Sequence, residues 1–295
     1  MAVVATPSQA DERIFGYVFT TDSMPQDKWE VQNWLRVRLH QSHGDYQLYQ
    51  LANGANYGVS SDFQLGIFIN SHHVTADRNS IQGRTSGAYV PDNAAPDRTY
   101  SSVRFDSVSL PSKYRLMSPY IDDVGVAIFA EPSIGSRENG LAYGVIVQSN
   151  FLDDTLVFAA NVVATHVWKY RNASTVAVYD PSAPGGPARW DGGSYLDFTF
   201  GASYRFVENW FAGLEFRNRN QFSGASFQHA GYSAFFLGPN LHYGGRRFWA
   251  TLTVLPQLPF AAAHSADQRN VLDNNRIFGS EHEKLEVRLG VGIPF

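Results

Sequence analysis

The sequence predicts an all-β protein: a transmembrane, antiparallel, up-and-down β-barrel of about 12 strands with both termini periplasmic. Three features predict it: alternating residue types, alternating connection lengths, and the lack of any long apolar run. The final segment, 284–295, has apolar residues at every odd position and charged residues, glycine or proline at every even one. Successive side chains of a strand point to opposite faces. This segment therefore has one apolar face and one charged or small face, as a strand between lipid and a barrel lumen requires.

Composition is compatible with this fold. The chain has 295 residues, 44% hydrophobic and 14% aromatic, with a net charge of −4. No apolar run approaches the roughly 18 residues of a transmembrane helix, whereas barrel strands leave a weaker signal. Cysteine is absent, which excludes disulfides, thiolate metal sites and cysteine nucleophiles. No cofactor and no nucleic-acid partner are expected.

Twelve alternating segments separated by turn residues are predicted as strands. The fourth has the weakest pattern, because Arg104 and Asp106 interrupt its alternation. An even number is typical of bacterial single-chain barrels. The predicted strands are 28–41, 44–57, 62–75, 102–116, 123–133, 140–151, 154–171, 193–206, 210–222, 230–243, 247–260 and 282–295.

The connections alternate in length. Tight turns follow the even-numbered strands, whereas the longer polar segments 76–101, 172–192 and 261–281 follow odd-numbered ones. Short periplasmic turns and long extracellular loops are typical of outer-membrane barrels. We therefore expect residues 1–27 to form an N-terminal periplasmic segment and residues 28–295 to form the barrel.

Parity assigns the faces of each strand. The apolar rows face lipid, and aromatic residues at their turn-side ends form a girdle. The inward rows carry 12 basic and five acidic residues, although the chain as a whole is net negative. Those expected to line a solute path are Arg36, Arg38, Lys113, Arg115, Glu131, Asp197, Arg205, Glu215, Arg217, Arg219, Glu286 and Arg288. Glu30, Lys169, Arg171, Arg247 and Lys284 complete the inward set.

Two functions remain open for such a lumen. An excess of arginine in a low-dielectric channel favours anions, which predicts a narrow channel or transporter for small, anionic solutes. Alternatively, arginine pairs with glutamate across the lumen and fills it, which gives a structural or partner-docking barrel. Twelve strands lie between eight-stranded barrels, which side chains fill, and 16-stranded porins, which hold an aqueous channel.

Short motifs distributed along the chain carry a family resemblance. They are Gly16–Asp22, Trp29-Glu30, Glu131-Pro132, Asn150–Asp154, Leu214–Asn218, Ala234–Pro239, His242–Gly245 and Trp249–Leu252. Together they resemble an uncharacterised family of Gram-negative outer-membrane β-barrel proteins. The resemblance covers nearly the whole chain and implies the fold and a location in the outer membrane, but no activity. Gly54 and Asn56 depart from it, since glutamate is common there.

The sequence gives less support to a catalytic or metal site. An outer-membrane lipase would need the order His-x-Ser on a strand, which does not occur, and His264-Ser265 falls in a predicted loop. A protease would place carboxylates and histidines at the extracellular rim, where the sequence has His72, His73, Asp77, Asp97 and Asp106. A metal site would need the inward histidines to converge. These are His40, His72, His242 and His282.

Location and partners follow from the barrel. The bacterial outer membrane is expected, with lipid around the barrel and a signal peptide already removed, although a cytosolic protein would begin in the same way. The closing strand, which ends at Phe295, is expected to contact the barrel-assembly machinery. The small solute is unidentified.

Overall fold

A computed structural model describes residues 13–41, 43–91, 94–136, 138–170, 190–224, 226–264, 266–269, 272–273, 276–278 and 283–295. One short helix, α1 (Ala266–Arg269), lies among its strands. No helix within these ranges is long and apolar enough to cross a membrane. The strands are β1 (Trp29–Leu39), β2 (Asp45–Gly58), β3 (Phe63–Asp77), β4 (Tyr100–Ser109), β5 (Ser112–Met117), β6 (Gly125–Gly135), β7 (Glu138–Phe151), β8 (Leu156–Tyr170), β9 (Trp190–Val207), β10 (Trp210–Ser223), β11 (His229–Gly244), β12 (Trp249–Pro256), β13 (Ala262–Ala263), β14 (Leu272–Asp273), β15 (Ile277–Phe278) and β16 (Leu285–Pro294).

The long strands form one antiparallel sheet that closes into a barrel. Each strand pairs with the next along the chain, and β16 pairs with both β12 and β1. The closing register runs from Glu30 opposite Pro294 to Leu39 opposite Leu285. Because β4 and β5 together occupy one position between β3 and β6, the barrel has 12 strand positions. The predicted antiparallel barrel of about 12 strands is confirmed.

The predicted fourth strand, 102–116, is divided into β4 and β5 at Leu110 and Pro111. Proline has no N–H to donate to a ladder, and here its carbonyl instead accepts a hydrogen bond from the Gly66 N–H at 2.7 Å. The predicted eleventh strand, 247–260, was too long, because β12 ends at Pro256.

The connections define two ends of the barrel. Segments 59–62, 118–124, 152–155, 208–209 and 245–248 lie at one end, called here the turn end. The opposite, loop end carries the longer connections 78–99 and that between β12 and β16. Residues 171–189, which include Arg171, fall outside the described ranges. The long connections therefore lie at the loop end as predicted, together with the short connections 40–44, 136–137 and 224–228.

Solvent exposure confirms the assignment of faces. Leu214 and Leu289 on the outer surface are 56% and 40% exposed, whereas the neighbouring Glu215 is fully buried. A soluble protein would reverse this pattern, since charged residues are rarely buried without partners. The outer surface is therefore suited to lipid.

Residues 13–27, called here the plug, lie inside the barrel. The expected N-terminal periplasmic segment is therefore wrong for these residues. Phe15 and Val18 are fully buried and pack on Val157 and Ala159 of β8. The plug returns to the turn end at Asp27, whose N–H donates to the Gly58 carbonyl at 2.8 Å, and β1 begins there. The sequence did not predict the plug, because apolar and polar residues alternate too irregularly in it to assign a face.

The loop-end connection 78–99 also folds inward. Its Tyr89 and Val90 pack against the buried cluster of Tyr46, Leu48, Val74 and Ala76 on β2 and β3. The Tyr46 hydroxyl donates to the Ala88 carbonyl at 3.1 Å. The lumen is thus narrowed from both ends, by the plug and by this loop.

Candidate solute path and internal plug

Side chains of the barrel wall bind the plug mainly at the backbone N–H and carbonyl groups of the plug. Glu215 of β10 accepts hydrogen bonds from the Gly16 N–H at 2.8 Å and the Tyr17 N–H at 2.7 Å. Thr253 of β12 donates its hydroxyl to the same carboxylate at 2.6 Å. The carboxylate is fully buried, so these donors compensate for its loss of hydration. Glu215, predicted to line a solute path, is instead an anchor of the plug.

Neutral amide side chains continue this anchoring. Asn161 of β8 both accepts from the Phe19 N–H at 2.7 Å and donates to the Phe19 carbonyl at 2.9 Å. Gln148 of β7 accepts from the Thr21 N–H at 2.7 Å, and Gln64 of β3 accepts from the Met24 N–H at 2.9 Å. Asn240 of β11 donates to the Ile14 carbonyl at 2.7 Å. Sequence reasoning missed these residues because it counted inward charges and passed over inward amides.

Two tryptophans fill the lumen near the turn end. The Trp34 and Trp249 rings lie 5.6 Å apart. The closing strand has glycine beneath each, at Gly290 and Gly292, where a Cβ would approach a ring to within 2.3 and 2.2 Å. The Trp249 indole donates to Glu30 at 2.9 Å. The small residues on the inward face of the last strand therefore make room for these rings.

Most inward arginines are paired. Glu286 of β16 binds Arg36 at 3.0 Å and Arg217 at 2.8 Å, and Asp197 of β9 binds Arg217 at 2.9 Å and Arg219 at 2.8 Å. We call these five residues, on β1, β9, β10 and β16, the arginine wall. This part of the lumen therefore matches the second possibility from the sequence, in which arginines and carboxylates pair across the barrel.

The plug residue Tyr17 lies against the arginine wall. The guanidinium carbons of Arg36, Arg217 and Arg288 lie 5.7, 5.3 and 5.5 Å from the centre of its ring, within cation–π range. Arg288 also lies 4.5 Å from the ring of Trp34. No ion pair of Arg288 is found within the described ranges. We call these three guanidinium groups the Tyr17 cage.

The opposite side of the lumen contains two adjoining cavities. A lower cavity of about 100 Å³ lies between the plug and β1, β3, β5 and β6, and Lys113, Glu131 and Arg288 line it. An upper cavity of about 210 Å³ is lined by serine, asparagine and threonine side chains with Glu131 and Glu138. Asn70 and Glu131 line both cavities, so the two meet there. We call the surface of β3, β4, β6 and β7 around them the cavity wall.

The remaining predicted lining residues lie elsewhere. Arg38 is paired with Glu283 at 2.5 Å near the loop end. Arg115 binds Asp62 at 2.9 Å at the turn end, and Arg205 is exposed there beside Phe211. The Lys113 ammonium donates to the plug carbonyl of Thr20 at 3.3 Å. Of the 12 predicted residues, therefore, Lys113, Glu131 and Arg288 line the cavities.

Tyrosines bind both inward-folded segments. The Tyr89 hydroxyl accepts a hydrogen bond from Gln50 at 3.0 Å, and its ring lies 4.1 Å from that of His72. Burial, then the nearby carboxylates of Glu138 and Asp106, raise the pKa of Tyr89 above its usual value. At the turn end, Tyr120 donates to Asp22 at 2.9 Å. Burial and that carboxylate raise the pKa of Tyr120, so its hydroxyl stays protonated as a donor at neutral pH.

A serine–histidine contact occurs on the outer face near the loop end. The Ser233 hydroxyl lies 3.1 Å from Nε2 of His264, although the two are 31 residues apart. The hydroxyl donates instead to Asn220 at 2.5 Å, and within the described ranges no group orients the other ring nitrogen of His264. A nucleophile needs its proton directed to the base. The contact therefore does not have the geometry of an activated serine.

The inward histidines are separated. His72 binds Asp106 at 2.6 Å, whereas His242 binds Thr251 at 2.7 Å on the other side of the barrel. His282 lies outside the described ranges. Within them, no three histidine or carboxylate side chains group to hold a metal ion.

The chain belongs to the family DUF6662, described as a family of unknown function, whose sequence model matches residues 7–295. This agrees with the resemblance found in the sequence. No curated protein matches the chain significantly.

Solved structures of similar fold are outer-membrane barrels. An outer membrane channel from Pseudomonas putida F1 has a TM-score of 0.54 and 8% identity, with 93% of this chain and 98% of that chain covered. The KdgM porin in complex with disordered oligogalacturonate has a TM-score of 0.47 and 10% identity, covering 90% and 99%. The NanC porin has a TM-score of 0.45 and 12% identity, covering 90% and 98%. At these identities the likeness shows the barrel fold alone.

Proposed function

We propose that the protein is a bacterial outer-membrane channel for small solutes, closed in this conformation by the plug. The adjoining cavities along the cavity wall are the observation that carries the proposal. A barrel that served only as a scaffold would have no need for a polar route. Here, hydroxyl and amide groups continue from the upper cavity to the lower one through Asn70 and Glu131.

An anionic preference is supported by the lower cavity, where Arg13, Lys113 and Arg288 outnumber the single carboxylate, Glu131. A cationic, narrow passage attracts anions because its low-dielectric walls focus the field. The proposed preference comes from these residues, since the arginine wall is largely neutralised by Asp197 and Glu286. The solute enters past Glu131, which selects against highly charged anions.

A lock on the plug tests this proposal. Val18 of the plug and Ala159 of β8 belong to one buried cluster, and the chain has no other cysteine, so Val18→Cys/Ala159→Cys can be oxidised selectively. In planar bilayers we expect the reduced double variant to conduct and the oxidised one to be silent. Each single-cysteine variant should conduct under both conditions. Equal currents from the oxidised and reduced forms would place the path away from the plug.

A structural or partner-docking barrel is the second candidate, and the paired arginine wall favours it. Under this alternative, no conductance would be seen in any redox state. The proposed outer-membrane location and contact of the Phe295 strand with the assembly machinery apply to both candidates. Deletion of Phe295 should slow membrane assembly without changing the conductance of the molecules that do fold.

A further inference from the structure

The Tyr17 cage contains polar atoms that lack partners. The Tyr17 hydroxyl, Nε of Arg36 and Nε of Arg288 are buried, and none has a hydrogen-bond partner within the described ranges. Buried polar groups are nearly always hydrogen-bonded, so three such atoms around one ring require an explanation. Two of the three are donors on guanidinium groups. A neutral phenol in this position leaves both donors unsatisfied.

The local charge is also incomplete. Four arginines, Arg217, Arg219, Arg36 and Arg288, face three carboxylates, those of Glu215, Asp197 and Glu286. The plug residue Arg13 adds a further positive charge beside Arg288, 4.7 Å from the ring of Trp34. Positive charge is therefore in excess, and an added negative charge would reduce it. The cage already surrounds the faces of a six-membered aromatic ring.

We propose that the Tyr17 cage is a binding site for a small aromatic carboxylate, and that Tyr17 occupies the place of that ligand while the plug is in. The ring of the ligand replaces the phenol ring among the guanidinium groups, and its carboxylate accepts from Arg36 and Arg288. This rests on the proposed function in one respect, that the plug can leave its position. Binding of the carboxylate then favours the open barrel, because ligand and plug compete for one site.

The first test compares benzoate with p-cresol, which is the detached side chain of tyrosine. In calorimetry on the detergent-solubilised full chain, Tyr17→Ala should bind benzoate about 10-fold more tightly than the unmodified protein, because the competing ring is gone. Tyr17→Phe, which keeps the ring, should behave like the unmodified protein. A simple cavity left by the missing ring would instead prefer the apolar p-cresol. Binding of p-cresol as tightly as benzoate to Tyr17→Ala would overturn the proposal.

Arg288 separates a carboxylate site from an aromatic cavity. Adding Arg288→Gln to Tyr17→Ala should weaken benzoate binding about 10-fold, since a charge-assisted hydrogen bond is lost. Binding of p-cresol, which loses only a cation–π contact, should weaken much less. An equal loss for the two ligands, or no loss for benzoate, contradicts the assignment.

The second test uses the full-length plug and does not depend on Tyr17→Ala folding. Val18 is fully buried, so a single Val18→Cys thiol should react slowly with maleimide until the plug leaves. Benzoate should accelerate labelling about 10-fold, whereas p-cresol should not. Ser60→Cys, at a partly exposed position in the turn 59–62, gives the control rate. An unchanged Val18→Cys rate with saturating benzoate would overturn the proposal.

The two proposals fail separately. Benzoate-dependent labelling in a protein that never conducts would refute the channel and leave the carboxylate site intact. Conversely, the protein could fail to bind benzoate and yet lose conductance when the plug lock is oxidised. That result would refute the carboxylate site and leave the channel intact.

Discussion

The arginine wall and the cavity wall face each other across one lumen and use charge differently. On the arginine wall, Asp197 and Glu286 each bind two arginines at 2.8–3.0 Å. On the cavity wall, Glu131 has no ion pair among the described residues and borders open space. The number of inward charges is therefore a poor guide to selectivity. What matters is how many remain unpaired beside a cavity.

The two walls hold the plug through different groups. Next to the arginine wall, the buried carboxylate of Glu215 accepts hydrogen bonds from two plug N–H groups. On strands of the cavity wall, the neutral side chains of Gln64 and Gln148 each accept from one plug N–H group. Hydrogen bonds to a charged group are stronger than those between neutral groups, so release of the plug from the cavity wall would break the weaker contacts. We therefore assign Glu215 the larger part in closure and the cavity wall the role in passage.

The largest expected effect is on stability. Glu286→Gln removes the carboxylate shared by Arg36 and Arg217 and should lower the free energy of unfolding by about 3–5 kcal/mol, the usual cost of breaking a buried ion pair. Glu131→Gln, which breaks no ion pair in the described structure, should cost less than about 1 kcal/mol. Urea unfolding in lipid vesicles measures both. Equal losses would mean that the two walls do not differ in pairing.

The next effect concerns closure. Glu215→Gln replaces a carboxylate that accepts from two plug N–H groups with an amide that has one oxygen, and should weaken docking by about 1.5–3 kcal/mol. Maleimide labelling at Val18→Cys should then rise by about 10-fold or more, at about 1.4 kcal/mol for each factor of ten. Glu138→Gln is the matched control, because Glu138 lines the upper cavity. A similar rise in that control would show general loosening of the barrel.

The sequence predicted the barrel because alternation with a period of two is local. It placed Leu289 outward and Glu286 inward, and it paired the first strand with the last, as found. It did not predict the plug, because the bond between Gly16 and Glu215 joins residues 199 apart. Contacts across a lumen depend on the positions of strands around the barrel, which no spacing along the chain encodes. For the same reason, the sequence did not predict the contact of Ser233 with His264.

A smaller effect is expected on selectivity. Glu131→Gln should shift the reversal potential of the open, reduced plug-lock variant further towards anions, because it removes the carboxylate shared by both cavities. Arg219→Gln on the paired wall should shift it less. The difference should shrink in about 1 M salt, where the screening length falls to about 3 Å. A larger shift from Arg219→Gln would place the solute path along the arginine wall.

The smallest expected effect is at the turn-end contact of the plug. Tyr120→Phe removes the donor to Asp22 at a half-exposed site, so docking should weaken by less than about 1 kcal/mol and Val18→Cys labelling should rise only slightly.

The pH dependence of the contact between Tyr120 and Asp22 has a defined sign. Burial and the carboxylate of Asp22 raise the pKa of Tyr120, so this contact is present below the ordinary tyrosine value, near 10, and is lost as the pH rises through the elevated value. Above about pH 10, the difference in labelling between Tyr120→Phe and the unmodified residue should therefore become progressively smaller. Because thiol reactivity itself changes with pH, each rate is divided by that of Ser60→Cys at the same pH. A difference that grew with pH would show that the ionised phenol, rather than its hydrogen bond, controls this end of the plug.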